Sequence, residues 1–178
     1  MRPRQIMPQL WLLTDARTEA SLPRALARLP RGAGLIFRHY HLPPATRAAR
    51  FRALARLARQ YGIAAAWAGS AAEARAIGAD ACYGPPALLA RGPALPRLVT
   101  AHSLREIAAA GRARAGAVLL SPVHPTRSHP GGKVLGPLRF RLLAARCPVP
   151  VIALGGMTAR RARALGHGWA AIDGLARG

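Results

Sequence analysis

The sequence predicts a single (β/α)8 barrel, the TIM-barrel form of the α/β class, and three observations support this fold. Short apolar runs alternate with Ala/Leu/Arg segments of helical period, which is typical of repeated β–α units. The number of these units approaches eight. The length of 178 residues suits one hydrophobic core and leaves little room for a second, so we assign residues 1–178 to one domain.

Eight apolar runs predict strands, because each is short and leads into a turn or the start of a helix. In chain order they are Leu10–Thr14, Leu35–Arg38, Ile63–Trp67, Ala81–Tyr83, Leu98–Ala101, Ala117–Ser121, Val151–Leu154 and Trp169–Ile172. The segments between them predict helices at Leu22–Leu29, Thr46–Tyr61, Ala71–Ile77, Ser103–Ala110, Pro137–Ala145 and Thr158–Leu165, with one turn near Pro86–Leu89. Ser70, Ser103 and Thr158 stand where helix N-caps are expected.

The end of the chain is short for a barrel of this kind. Eight-unit barrels usually take about 200 residues or more. Only Asp173–Gly178 follows the eighth predicted strand, which is too little for a full helix. We therefore predict short or missing helices near the C-terminus. An apolar strip left uncovered there would favour a homodimer, and a terminus that is simply bare is the equal alternative.

Composition narrows the class of protein. With 51% hydrophobic residues the chain can bury a core, yet arginines interrupt every apolar stretch well before the ~18–20 residues of a membrane span. The apolar run Leu10–Leu13 is too short for the core of a signal peptide. Cys82 and Cys147 have no metal-ligand spacing and are too few for a disulfide scaffold. We expect a soluble, cytoplasmic protein without a membrane partner.

The net charge of +21, from 27 basic and 6 acidic residues, comes almost entirely from arginine. Such a field attracts phosphates and nucleic acids. The arginines are spread over predicted outer helix faces, with no concentrated basic tail and no interleaved aromatic platform. We interpret most of them as solvated surface, and nucleic-acid binding is the alternative that the pattern does not favour.

One long irregular segment, PVHPTRSHPGGKVLG at residues 122–136, follows the sixth predicted strand. Barrel enzymes place their sites in loops at the carboxyl ends of strands. The hydroxyls of Thr126 and Ser128 and the cations Arg127 and Lys133 are groups that can surround a phosphate. The alternative is that this loop is only a rigid, proline-rich cover.

Gly155 and Gly156 follow the seventh predicted strand and precede a helix. Without a Cβ, glycines let backbone amides come close to an anion, and a helix N-terminus favours negative charge. The pair therefore predicts a second part of the same phosphate site. The alternative is an ordinary tight turn.

Several motifs resemble those of the thiamine phosphate synthase and TenI (thiazole tautomerase) family. They are VLLSPVHPTRSHPGGKVLG from Val118, PVIALGGMT, LWLLTD, AIGAD and TAHSLREI, and together they cover almost the whole chain. The resemblance implies a (β/α)8 barrel of thiamine biosynthesis that binds a thiazole phosphate and, in the synthase, an aminopyrimidine pyrophosphate with magnesium. The positions that it implies for substrate or phosphate contact are Arg38, Thr126, Arg127, Ser128, His129, Gly155 and Gly156.

The metal-binding positions of the resembled synthase carry no carboxylate in this chain. Its Asn-Asp pair falls on Ala68 and Gly69, and its second acid falls in the range 84–87. Magnesium needs hard oxygen ligands, typically one or two carboxylates plus substrate phosphates. Only Asp15 and Asp173 are predicted to reach the rim of the barrel. We assign no metal ligand and no definite cofactor, leave Mg2+ as an option without its usual ligands, and do not expect standard synthase chemistry.

His102 follows the fifth predicted strand in the motif TAHS, where the tautomerase branch has a histidine that serves as acid/base catalyst. Histidine suits proton transfer because its ordinary pKa of ~6.5 lies near neutral pH. A tautomerisation also needs no metal. The alternative is that His102 only hydrogen-bonds a nearby backbone group.

Three functions remain open at this point. The first is an enzyme, either a divergent synthase-like transferase or a TenI-like isomerase that uses His102. The second is a catalytically silent barrel that binds a small phosphorylated ligand. The third is a nucleic-acid-binding protein that uses its arginines.

Overall fold

Eight parallel strands close into one barrel in chain order, as the computed structural model of residues 7–127 and 131–176 shows. Strands β1 to β8 span Leu10–Leu13, Gly34–Phe37, Ala64–Ala68, Ala81–Gly84, Arg97–Ala101, Ala117–Leu120, Val151–Leu154 and Gly168–Ala171. β1 pairs with β8, with Leu10 opposite Trp169, and this pairing closes the ring. The predicted fold class is confirmed, and the bounds of every strand agree with the prediction within one residue.

Apart from one helix of 17 residues, the helices are short, as expected for so compact a barrel. Helices α1 to α8 span Leu22–Arg28, Pro44–Gln60, Ala71–Ala76, Pro86–Leu89, Leu104–Arg112, Gly136–Ala144, Ala159–Leu165 and Asp173–Ala176. The four-residue α8 confirms the predicted shortening at the C-terminus, and α4 is equally short. Crossing a bilayer takes more length and apolar character than any of the described helices has.

Side-chain hydrogen bonds begin three helices at the predicted caps. Ser70 accepts the N–H of Glu73, whose carboxylate in turn accepts the N–H of Ser70. Ser103 and Thr158 accept the N–H groups of residues three positions later in α5 and α7. These caps satisfy amides that the helix itself leaves without acceptors.

Alternation along the strands separates two layers of core. One set of side chains, including Leu35, Phe37 and Val99, packs outward against the helices. The other set, including Trp11 and Leu98, fills the barrel interior. Trp11 occupies so much of this interior that a Cβ on Gly34 of β2 would lie 2.2 Å from its ring. The amino-terminal part of the barrel interior is therefore a packed core.

Exposed large apolar side chains occur mainly away from the closing side of the barrel. Leu138 and Leu142 of α6 are 74% and 62% exposed and lie one helical turn apart. Within the described residues, β8 and α8 carry no large apolar side chain of this kind. The apolar strip expected at the C-terminus is absent from that part of the chain, and the homodimer stays a prediction.

Candidate functional site

A cavity of about 820 Å³ opens at the carboxyl ends of the strands. Its walls come from the segment after β6, the turn between β7 and α7, and the start of α8. Of the predicted site residues, it is lined by Arg38, His102, Thr126, Arg127, Gly155 and Gly156. Ser128 and His129 lie outside the described residues, so their roles remain predictions.

The floor of the cavity follows from strand alternation. Inward-facing residues recur every second position, so the interior layer of Leu98, Leu119 and Ile152 is followed by a layer that meets the cavity. That layer consists of Arg38, Tyr83, Thr100, Ser121, Leu154 and Ile172. Tyr83 and Met157 also line the cavity. Trp67 points the other way and packs with Phe37 and Phe51 outside the barrel.

Gly155 and Gly156 bring two walls of the cavity into direct contact. Both have left-handed backbone angles, with φ of +99° and +58°. A Cβ on Gly155 would lie 2.7 Å from Pro122, and one on Gly156 would lie 2.4 Å from the carbonyl oxygen of Pro125. The N–H groups of Val123 and His124 donate to the carbonyls of Leu154 and Gly155. Only glycine allows this approach, which joins the loop after β6 to the turn after β7.

Four cations surround the cavity, and Asp173 is the one carboxylate among its described lining residues. The cations are Arg38, Arg127, Lys133 and Arg161. Arg161, interpreted from sequence as outer helix surface, instead donates to the carbonyl of Gly156 and lines the cavity. Its position three residues after the cap Thr158 is the signal that could have placed it there. The excess of positive charge favours an anionic ligand group.

The residues do not fit the magnesium site that the resemblance implies. Arg17 donates to Asp15 at 2.8 Å and to Asp173 at 3.4 Å, so both rim carboxylates contact a cation. Burial raises the pKa of Asp15, but the hydrogen bonds and charge of Arg17 outweigh this and leave the pKa below its ordinary value. The described residues hold no cluster of three or more His, Cys, Asp or Glu side chains. Arginines stand where a metal site would need carboxylates free to bind a cation.

Arg47 places a further positive charge at the end of β3, where the resembled metal site would lie. Its guanidinium donates to the carbonyl of Ala68 at 2.5 Å and lies 3.9 Å from the ring centroid of Trp67. Ala68 is the residue at which the resembled family begins its Asn-Asp pair. A fixed positive charge at this carbonyl repels a divalent cation.

His102 lines the cavity with its ring orientation fixed. Its Nδ1 lies 2.7 Å from the carbonyl oxygen of Ser121. A carbonyl can only accept a hydrogen bond, so Nδ1 carries the proton and Nε2 holds the free electron pair. The backbone N–H of His102 donates to Glu106 at 2.6 Å, which anchors the segment to α5. The alternative role given to His102 was a hydrogen bond to a nearby backbone group. That bond uses Nδ1 alone and leaves Nε2 to act as a base.

A buried chain of hydrogen bonds supports Arg38. The backbone N–H of Arg38 donates to Thr14 Oγ1 at 2.8 Å, and Thr14 Oγ1 lies 2.7 Å from His39 Nδ1. The Nε2 atom of His39 contacts Glu19, which also pairs with Arg50 at 2.5 Å. Thr14 therefore donates to Nδ1, and His39 carries its proton on Nε2. His39 is therefore a buried positioning residue.

Lowering the pH through about 6.5 will destabilise the protein through His39. Burial lowers the pKa of His39 and outweighs the opposing effect of Glu19. The unfolded chain then binds a proton that the folded chain does not, so stability falls as pH falls below the ordinary histidine pKa. Urea unfolding at pH 7.5 and 5.5 should show this loss in the wild type and a smaller loss in His39→Gln. The exposed neighbour His41→Gln is the control, and equal pH dependence in both variants would contradict the assignment.

Comparison with known proteins gives a family match for the second half of the chain. Residues 95–175 match the family model described as thiamine monophosphate synthase. The matched segment runs from β5 to α8 and contains His102, the loop after β6 and the Gly155–Gly156 turn. Over these residues, which make up a little less than half of the chain, the sequence is similar to the thiamine phosphate synthase/TenI family. No curated protein matches the chain in sequence.

Solved structures show the same fold at low sequence identity. Thiamine phosphate pyrophosphorylase from Pyrococcus furiosus is 23% identical, with a TM-score of 0.78 over 94% of this chain and 86% of that one. The enzyme of the same name from Bacteroides thetaiotaomicron is 16% identical, with a TM-score of 0.56 over 94% and 84%. KDPG aldolase from Legionella pneumophila reaches 0.60 at 11% identity over 94% and 82%. The last match shows that the fold alone does not select a chemistry.

Proposed function

We propose that this chain is a member of the thiamine phosphate synthase/TenI family and acts as a metal-independent isomerase that binds a thiazole phosphate. The observation that carries the proposal is one cavity that is lined both by four cations and by a histidine of fixed tautomer. The cations suit the phosphate, and the base suits transfer of a ring proton. Its two cysteines are unpaired, which supports a reducing, cytoplasmic location.

The proposed reaction moves one proton within the ligand, and the ligand gains and loses no atoms overall. Nε2 of His102 takes a proton from carbon, so one C–H bond breaks and its electron pair enters the conjugated system. The imidazolium then returns the proton at another carbon, where a new C–H bond forms. The Ser121 carbonyl stabilises the imidazolium through Nδ1–H, because a charged donor makes a stronger hydrogen bond.

Synthase chemistry has less support from these residues. Expulsion of pyrophosphate needs charge neutralisation that magnesium normally supplies. Arg17 contacts both rim carboxylates, and Arg47 holds the carbonyl at the end of β3. Cations of the side chains can bind a phosphate without a metal, and a proton transfer requires no leaving group. An isomerase therefore requires fewer catalytic groups from this site than a synthase does.

A thermal-shift titration tests the proposed ligand. Thiazole phosphate at about 100 times its dissociation constant should stabilise the protein by about 2.7 kcal/mol. For a chain of this size the melting temperature then rises by roughly 5–10 °C, equally with and without magnesium. Aminopyrimidine pyrophosphate and inorganic pyrophosphate serve as comparison ligands.

Three other outcomes of this titration would support a different function or contradict the proposal. Stabilisation by the aminopyrimidine pyrophosphate only with magnesium would support the synthase. Stabilisation by thiazole phosphate without turnover would support the silent binder. No shift with any of the three would contradict the thiamine assignment.

Nucleic-acid binding is the second candidate because 27 basic residues stand against 6 acidic ones. Six carboxylates are too few to pair with most of the arginines, although Arg17, Arg50 and Arg59 do form ion pairs. A nucleic-acid complex would lose affinity steeply between low and moderate salt, through release of counterions. Fluorescence anisotropy with a short labelled RNA at several salt concentrations separates this candidate from the enzyme.

A further inference from the structure

The phenol of Tyr83 is a polar group at the cavity floor that the proposed reaction does not use. Tyr83 faces the barrel interior from β4 and is only 7% exposed. Its neighbours across the two adjacent strands are Ala68 and Leu98, which offer no polar side chain. The ring is thus held by apolar packing, and its outer part borders the cavity.

Among the residues that the structure describes, none makes a hydrogen bond to the hydroxyl of Tyr83. This hydroxyl is not one of the fully buried side-chain atoms that lack a partner, so it is open to the cavity rather than sealed in the core. Tyrosine hydroxyls in such a position usually find a hydrogen-bond partner. Since the side chain lines the cavity, a molecule bound there can come within hydrogen-bond distance of the hydroxyl. Burial also raises the pKa of Tyr83 to about 12, so the group remains a neutral donor under ordinary conditions.

The floor around Tyr83 has a polar half and an apolar half. Thr100 and Ser121, from the next two strands, add hydroxyls beside it. Across the barrel, β7 and β8 contribute Leu154 and Ile172. The cations Arg127, Lys133 and Arg161 lie on the loops above. A ligand with its phosphate among these cations would lay its organic part on this floor.

We propose that Tyr83 is a specificity-determining residue that donates a hydrogen bond to an acceptor atom on the organic part of the ligand. The acceptor is a ring nitrogen or a carboxylate oxygen of a flat heterocycle whose other edge lies on Leu154 and Ile172. The proposal rests on the proposed function, because it requires the phosphate to be held by the loops. Contacts to the phosphate cannot distinguish one organic group from another, whereas the hydroxyl on the β4 side of the floor can.

Isothermal titration of the full chain with two probes tests this role. Inorganic phosphate reports on the loops alone, and thiazole phosphate reports on the loops and the floor. Tyr83→Phe removes only the hydroxyl and should weaken thiazole phosphate about tenfold while leaving inorganic phosphate unchanged. Tyr61→Phe is the matched control, since Tyr61 ends α2, packs against the outer core and does not line the cavity.

The outcomes separate the two proposals. If wild type binds thiazole phosphate and Tyr83→Phe binds it equally well, the role of Tyr83 is wrong and the proposed function stands. If Tyr83→Phe loses both probes together and melts at lower temperature, the hydroxyl acts structurally and the specificity role is again wrong. If wild type binds inorganic phosphate and rejects thiazole phosphate, the proposed function fails and the Tyr83 proposal falls with it.

Discussion

Replacement of His102 by alanine should lower the turnover of thiazole phosphate isomerisation by about 10²–10⁴-fold while the melting temperature changes little. Positioned acid/base groups contribute rate factors of this size. His102 is exposed and its ring hydrogen-bonds with Ser121 at the edge of the cavity, so its removal leaves no hole in the core. Steady-state kinetics and a thermal melt on the same preparation measure both quantities.

Two further variants give this prediction its control. His102→Asn keeps an amide donor in place of Nδ1–H but has no basic nitrogen, so it should be as inactive as the alanine variant. His167→Gln changes a histidine before the amino end of β8, where it packs on Phe140, and should keep full turnover. Full activity of His102→Ala would show that His102 is not the acid/base group.

A methyl group at Gly156 should destabilise the fold by about 3 kcal/mol or more. A side chain in the left-handed region costs roughly 1–2 kcal/mol. The added Cβ would also lie 2.4 Å from the Pro125 carbonyl and 2.9 Å from His124, and the first of these is backbone that cannot rotate away. Relief requires the loop after β6 to move away from the turn after β7. Inorganic phosphate should therefore bind more weakly than to wild type.

Gly166 provides a matched control within the same helix–turn region. Its φ of +70° is close to that of Gly156, and a Cβ there would meet nothing within 4 Å. Gly166→Ala should therefore cost only the backbone term, roughly 1–2 kcal/mol, and leave phosphate affinity unchanged. Urea unfolding and phosphate titration compare the two variants. Equal losses of stability at both positions would contradict the proposed contact between the two loops.

The sequence predicted the barrel well because its local signals agree with one another. Short apolar runs that lead into turns placed the strands, and cap residues such as Ser103 placed helix starts. Arg38, His102 and Gly155 each stand at or just after the end of a predicted strand, so they could be assigned to the carboxyl end of the barrel. The resemblance of the loop after β6 then indicated the family.

Individual partners of the arginines could not be predicted in the same way. Arg17 joins Asp15 to Asp173, residues that are far apart in sequence and meet only because β1 and β8 close the ring. Arg161 reaches back from α7 to the cavity. A long, flexible side chain can reach several neighbours, and local sequence carries no information about which of them lies nearby.

The amino-acid sequence by itself determined the fold class, the positions of the strands and the loops that form the site, because these depend on local apolar patterns and on turn chemistry. Tertiary structure alone decided which of those residues meet. It buried His39 between Thr14 and Glu19, fixed the tautomer of His102 through Ser121, and left the Tyr83 hydroxyl facing the cavity. The physical reason is that hydrogen bonds and burial depend on distances between strands that only barrel closure brings together.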